Sequence, residues 1–157
     1  FILQEMTTKD KYRQTRFNTL VNERTPFVYL ILFRCMDNRL LVKVGYSRNV
    51  LVRVIQNKYW GSKYKKSYWG ISGIPKGVPE KKDIVFFCAW DIKEKNIVNE
   101  KDAIAITNKT IKRFALTQEW FISDSINKAK YLVNEINAKF KKEAYGLFDN
   151  NNEYYLG

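Results

Sequence analysis

The stretch FVYLILFRCMDNRLLVKVGYS, residues 27–47, decides the fold that we expect for this chain. It begins with Phe27–Phe33, an unbroken run of β-branched, aliphatic and aromatic residues that is typical of a strand buried on both faces. After the turn signal Asp37–Asn38, the residues from Leu40 to Tyr46 alternate between two faces. The stretch therefore predicts a β-hairpin.

The alternation in the second strand places Lys43 and Gly45 on one face and Val42 and Val44 on the other. Lys43 is therefore not forced to be a wholly buried, unpaired charge, and its side chain can point into a cleft. Gly45 has a purely structural explanation, because a glycine in a strand allows another group to approach the backbone closely.

Outside the hairpin, the pattern predicts one more buried strand and four helices. A weak helix is expected over 8–23, the strand over Ile84–Trp90, and a helix after Ser47 as its N-cap. A third helix opens near Glu100 with Asn99 or Asn96 as its cap and carries Ala103, Ile104, Ile111, Phe114 and Ala115 at helical spacing. The last long helix is capped by Ser123 or Asp124. The predicted class is α+β, a small central antiparallel sheet of about three strands flanked by helices.

The chain length suits one domain with short terminal arms. We expect a basic helical arm over 1–24, a domain over 25–145 and a frayed tail over 146–157. The arm either covers the core or touches nucleic acid. Within the domain, glycine and proline punctuate residues 57–80, which predicts a loop with at most a short helix.

The charge of the chain points to a polyanionic partner. Twenty-eight Lys and Arg against sixteen Asp and Glu leave a net charge of +12. Nucleic acid is the leading candidate for such a partner. A membrane is not expected, since no segment approaches the twenty or so apolar residues of a spanning helix.

Two residue types narrow the chemistry. The chain has no histidine, which removes histidine-based zinc sites, Ser-His-Asp triads and Cys-His dyads. Its two cysteines, Cys35 and Cys88, lie in or near apolar runs rather than in a disulfide framework. A reducing cytoplasmic location is the expectation.

A basic, aromatic segment follows the hairpin. Tyr-Trp-Gly occurs twice in it, with lysines between the rings, and Arg48 stands shortly before it. These side chains could pair with phosphates and stack on bases, or they could pack a satellite core under solvated lysines. The candidate nucleic-acid-binding residues of the segment are Lys58, Tyr59, Trp60, Lys63, Lys65, Lys66, Tyr68 and Trp69.

Several motifs together resemble the GIY-YIG nuclease superfamily. They are Phe27-Val28-Tyr29, Lys43-Val44-Gly45 followed by Ser47, Arg53, and Glu119-Trp120-Phe121. The nearest pattern is the phage and restriction-type subgroup that reads roughly VYLI, VKIGYS, N-x-x-x-R and EWF, and the matched region runs from about residue 27 to 121.

The resemblance implies a GIY-YIG-like fold and a set of site residues. Tyr29 matches the tyrosine of the first motif, and Lys43 stands where the second motif usually has tyrosine. Arg53 falls at the family arginine, and Glu100 is the candidate ligand for a divalent metal, with Glu119 as its rival. In two departures from the family, Phe27 replaces the first glycine and Asn57 replaces a histidine that some members carry.

These residue types suit phosphodiester hydrolysis, which needs an activated water, neutralised phosphate charge and a stabilised leaving oxygen. Glu100 can hold Mg²⁺ or Mn²⁺ together with waters and phosphate oxygens. Arg53 offers a planar fork for the phosphate. Either Tyr29 or Lys43 can serve as the base, and the residues favour neither.

Each of these residues also has an ordinary structural explanation, and their order and spacing together favour the functional one. We expect a metal-dependent endonuclease that cuts double-stranded DNA with sequence specificity. Cutting two strands with a one-metal site suggests a homodimer or sequential nicking. The alternatives are a non-catalytic nucleic-acid-binding module and a protein that cleaves or binds RNA.

Overall fold

The computed structural model describes residues 8–34, 38–50, 84–93, 96–114 and 119–146. Within these ranges the chain forms helices on both faces of one sheet. The elements are α1 (Thr8–Asn22), β1 (Phe27–Arg34), β2 (Leu40–Ser47), β3 (Ile84–Asp91), α2 (Glu100–Thr110), β4 (Lys112–Arg113), β5 (Trp120–Ser123) and α3 (Ile126–Phe140).

The sheet is antiparallel throughout and has the strand order β3-β1-β2-β5-β4. The α+β class is confirmed, but the prediction of about three strands is wrong, because the described part of the chain forms five. The two unpredicted strands span only Lys112–Arg113 and Trp120–Ser123. Segments this short do not show a period of two, so only their pairing with the hairpin identifies them.

Strand β1 lies between β2, its partner in the predicted hairpin, and β3. Tyr29 stands opposite Gly45 of β2 on one side and Ala89 of β3 on the other. Its residues from Phe27 to Phe33 are all buried, as expected for a strand covered on both faces. At the hairpin turn Asn38 has a φ of 66°, a left-handed conformation that asparagine tolerates better than most residues.

One face of the sheet, the Tyr29 face, is covered by α1. Three apolar side chains of this helix, Phe17, Leu20 and Val21, are buried in one cluster with Phe27 and Tyr29. The rings of Phe17 and Phe27 meet edge to face with centroids 5.5 Å apart. Helix α1 therefore covers the core, which is the first of the two predicted roles; the domain boundary at residue 24 stays a prediction.

The opposite face, the α2–α3 face, carries a larger apolar cluster. Ala103 of α2 and Leu132, Val133, Ile136 and Phe140 of α3 pack there. They share this cluster with the even-numbered residues of β1 and β2, namely Val28, Leu30, Leu32, Leu40, Val42 and Val44. Val42 and Val44 thus lie on one face, as the alternation predicted.

The helix boundaries confirm one predicted cap and correct another. Asn99 caps α2, its side-chain oxygen accepting from the Asp102 backbone N–H at 2.8 Å. Ser125, not Ser123 or Asp124, caps α3 by accepting from the Lys128 backbone N–H at 3.0 Å. Ser123 is instead the last residue of β5, because pairing with β2 extends the strand to this residue.

Helix α2 also ends earlier than predicted. It stops at Thr110, so Ile111 and Phe114 are not helical although their spacing suggested it. They flank β4 and enter different clusters, Ile111 on the α2–α3 face and Phe114 on the Tyr29 face. A helix would have directed both to one side, which explains why the helical prediction fails here.

The outer edge of β3 is closed by the segment after α3. Ala89 and Tyr145 exchange two backbone hydrogen bonds of 2.9 and 2.8 Å. Arg13 of α1 donates to the carbonyl oxygens of Glu143 and Ala144 at 3.0 and 2.8 Å and lies 4.6 Å from the centroid of the Tyr145 ring. This contact protects backbone groups that an open edge would offer to other chains.

Candidate active site

Tyr29 and Gly45 form a cross-strand pair in which the tyrosine ring lies directly over the glycine. A Cβ built on Gly45 would be 2.5 Å from both Cζ and Oη of Tyr29, closer than nonbonded atoms can approach. The close approach expected at Gly45 is therefore made by an aromatic side chain. Tyr29 is only 2% exposed, and the absence of a side chain at Gly45 leaves room for its phenol over β2.

Lys43 lies on the same face, two residues along β2 from Gly45. Its side chain is only 7% exposed, and its ammonium group pairs with the carboxylate of Glu119, which is 42% exposed. The ammonium is also 5.9 Å from the centroid of the Trp120 ring. Lys43 is thus a buried but paired charge whose partner carboxylate reaches solvent.

The pairing of β5 with β2 delivers Glu119 to this position. Lys43 stands opposite Trp120, and the Val44 backbone N–H donates to the carbonyl oxygen of Glu119 at 3.0 Å. Trp120 and Phe121 are 1% and 0% exposed, so these two residues of the Glu-Trp-Phe segment pack in the core. The ion pair itself was not predicted, because it depends on recognising β5 as a neighbour of β2.

Breaking the Lys43–Glu119 pair is expected to reduce the free energy of unfolding. In a double-mutant cycle with Lys43→Met and Glu119→Gln we expect a coupling of about 1–2 kcal/mol. This value lies between exposed and fully buried pairs, since one end is buried and the other reaches solvent. Urea unfolding of the four proteins measures the coupling. Single-variant effects that simply add would show that the pair contributes nothing to stability.

Several predicted site residues lie outside the described residues. These are Arg53 and the segment that carries Lys58, Tyr59, Trp60, Lys63, Lys65, Lys66, Tyr68 and Trp69. The last described residue before them is Val50, which is buried in the same cluster as Tyr29 and so lies on the Tyr29 face. Arg48 is exposed, and its Nε donates to the hydroxyl of Tyr46 at 3.3 Å.

Glu100 opens α2 and is partly buried in its first turn. Because α2 packs on the α2–α3 face, its helix belongs to the layer opposite the one that carries Tyr29 and Lys43. The structure thus brings together Tyr29, Lys43 and Glu119, and it places the helix of Glu100 on the other side of the sheet.

The two candidate metal ligands differ in their surroundings. Glu119 is engaged by the ammonium of Lys43, and a second cation beside that ammonium would be repelled. Nowhere in the described ranges do three or more His, Cys, Asp or Glu side chains group as a metal site. Magnesium can be held by one carboxylate with waters and substrate phosphates. A single carboxylate such as Glu100 fits that mode, but the helix of Glu100 lies on the face of the sheet opposite Tyr29 and Lys43. The choice between Glu100 and Glu119 therefore stays a prediction.

Cys88 takes no part in the chemistry. It is a free cysteine, fully buried in β3, and its burial raises the pKa of the thiol far above the ordinary value. A buried thiol that stays protonated is neither a nucleophile nor a metal ligand.

None of the helices in the ranges that the structure describes has both the length and the apolar character needed to cross a membrane. Comparison of the chain with protein-family models, with curated proteins and with solved structures gave no match. The resemblance to GIY-YIG nucleases therefore rests on the residues of this sequence.

Proposed function

We propose that this chain is a GIY-YIG-like endonuclease that hydrolyses phosphodiester bonds in double-stranded DNA with Mg²⁺ or Mn²⁺. The observation that carries the proposal is the grouping on the Tyr29 face. A phenol lies across Gly45 beside a buried ammonium paired with a carboxylate. The net charge of +12 supports a polyanionic substrate.

The ion pair favours one of the two candidate bases. An ammonium ion has three N–H donors and no acceptor, so Lys43 cannot take a proton while it is paired with Glu119. We therefore assign the base to Tyr29, whose oxygen in the deprotonated, phenolate form would accept the proton of the attacking water and so become the phenol. Lys43 would hold positive charge beside the phosphate as negative charge builds on its oxygens.

Two further residues complete the proposed chemistry. Arg53 would bind the phosphate through its planar guanidinium, which matches two phosphate oxygens at once. Of the two candidate metal ligands, Glu119 lies beside Lys43 on the Tyr29 face, and Glu100 lies on a helix of the opposite layer. The carboxylate that reaches the scissile phosphate would hold the divalent ion, which when bound stabilises the departing oxygen. Sequence specificity would come from the basic aromatic segment 57–80. Restriction-type or phage-type cleavage, by a homodimer or by sequential nicking, is the expected pattern.

The proposal is tested by incubating the purified chain with supercoiled plasmid, a labelled DNA duplex and an RNA of the same sequence. We expect Mg²⁺ or Mn²⁺ to support cutting of the DNA and a chelator to stop it. A chain that retards DNA on a gel but leaves it intact under all these conditions would be a binding module. A chain that cuts only the RNA would be a ribonuclease.

The metal assignment makes a separate prediction about Glu100. Glu100→Gln is expected to raise the Mg²⁺ concentration for half-maximal cutting about tenfold or more, the loss that even an outer-shell partner of a metal site can cause. Asp102→Asn is the matched control, because it removes the same charge from the same helical turn. If Glu119→Gln raises the Mg²⁺ concentration for half-maximal cutting and Glu100→Gln does not, the metal ligand is Glu119.

A further inference from the structure

A continuous series of side chains on the Tyr29 face runs from the candidate site to the edge strand β4. Lys43 stands opposite Trp120, with its ammonium 5.9 Å from the ring centroid. The Phe114 backbone N–H donates to the carbonyl oxygen of Trp120 at 2.9 Å, which places Phe114 on the far side of Trp120 from Lys43. The ammonium and the two rings therefore lie in one row across three strands.

Arg39 lies above the end of this row. It directly precedes β2, and its guanidinium carbon is 5.3 Å from the centroid of the Phe114 ring. That ring is only 6% exposed. A guanidinium held against an aromatic face keeps its planar donors in a fixed orientation, so less conformational freedom is lost when they bind a phosphate.

Lys112 extends the series to the edge of the sheet. It is exposed in β4 and pairs with Ile122, which in turn pairs with Leu41. Directly opposed residues in a sheet project to the same face, so Lys112 projects to the same side as Leu41, a member of the Tyr29 cluster. We name Arg39 and Lys112, the two members of this series that reach solvent, the basic track.

The charges around the basic track have a small positive excess. Arg34 and Arg113 pair with Leu40 and Phe121, two residues of the cluster on the α2–α3 face, so they project away from it. The opposing charges are Glu119, which pairs with Lys43, and Asp124, which follows Ser123. The sequence from Ala103 to Gln118 adds no Asp or Glu beside Lys112.

We propose that Arg39 and Lys112 contact the phosphate backbone of the DNA beyond the cleavage site. This inference rests on the proposed nuclease function.

The test is DNA binding measured by fluorescence anisotropy on a short labelled duplex, in chelator, from about 50 to 200 mM salt. For the double variant Arg39→Gln/Lys112→Gln we expect the slope of log K against log salt to lose about 1.8, which is 0.9 for each phosphate contact. Affinity at low salt should fall about tenfold or more. Arg39→Lys combined with wild-type Lys112 should keep most of the slope, because it keeps the charge.

The matched control is Lys130→Gln/Lys139→Gln, which removes two exposed charges from α3. At about 0.1 M salt, charges more than about 10 Å from the DNA are largely screened, so this variant should bind almost as the wild type does. Equal changes in the control and the test variant would overturn the proposal.

Two further outcomes keep the inference separate from the nuclease proposal. If the double variant fails to fold, Lys112→Gln alone changes one exposed residue and should still lower the slope by about 0.9; an unchanged slope overturns the proposal. If the wild type cuts DNA and the double variant shows an unchanged slope, the DNA contact of the basic track is overturned and the nuclease proposal stands. A lowered slope in a chain that never cuts supports the track as a DNA-binding surface and overturns the nuclease.

Discussion

Replacing Tyr29 with phenylalanine is expected to slow DNA cutting by about 10²- to 10⁴-fold, the usual contribution of a positioned proton acceptor. The substitution removes the hydroxyl and keeps the ring that lies over Gly45. Packing on the Tyr29 face should therefore be preserved, and DNA affinity should change little. The loss would fall on the chemical step.

Single-turnover cleavage of a labelled duplex, with binding measured separately in chelator, divides the two effects. Tyr131→Phe is the matched control, since Tyr131 is 52% exposed on α3 and lies on the other layer of the molecule. If the single-turnover cleavage rate of Tyr29→Phe is close to that of the wild type, Tyr29 is not the base, and Lys43 is the remaining candidate.

Replacing Gly45 with alanine is expected to lower the free energy of unfolding by about 1–3 kcal/mol, the typical cost of overfilling a packed site. The added methyl would stand 2.5 Å from Cζ and Oη of Tyr29, so the ring must move. The displaced phenol should also reduce cutting. Urea unfolding and the cleavage assay measure the two losses on the same protein.

The sign of the Gly45 effect should reverse when the ring is absent. In a Tyr29→Ala background, Gly45→Ala meets no ring and should be neutral or stabilise by about 0.5–1 kcal/mol, because glycine is unfavourable inside a strand. If Gly45→Ala is equally costly in both backgrounds, the contact with Tyr29 is not the reason for glycine at this position.

The long apolar strands could be predicted from sequence almost to the residue. Expected runs over 27–33, 40–46 and 84–90 correspond to strands that each extend one residue further. A run that is buried on both faces, or that alternates over eight residues, carries its period within the segment itself. The two faces of β2 were assigned correctly for the same reason.

The parts that sequence did not predict depend on distant pairing. Strand β5 has four residues, and its membership in the sheet follows from its contact with β2. The Lys43–Glu119 pair joins residues 76 positions apart, so no local pattern could indicate it. Glu119 was weighed as a metal ligand, whereas the structure makes it the partner of a lysine.

The helix predicted over Ile111 and Phe114 is the reverse case, an element that a local pattern predicted and that the structure does not form there. A spacing of three residues fits one face of a helix, and here the chain instead crosses from one side of the sheet to the other over these positions. Short apolar pairs match both periods, and tertiary packing decides between them.

Strands β2 and β3 run in the same direction on either side of β1, with Ser47 opposite Phe27 and Ile84 opposite Phe33. The chain between them must therefore return along the length of the sheet before β3 begins. The two ends of this connection, Ser47 and Ile84, both pair with β1. The register of the three strands is therefore set by their own pairing and not by the length of the connection. Each doubling of a flexible connection costs only about 0.6 kcal/mol of closure entropy. A change of length in this connection that keeps Arg53 is therefore expected to leave the register of the strands that carry Tyr29 and Lys43 unchanged.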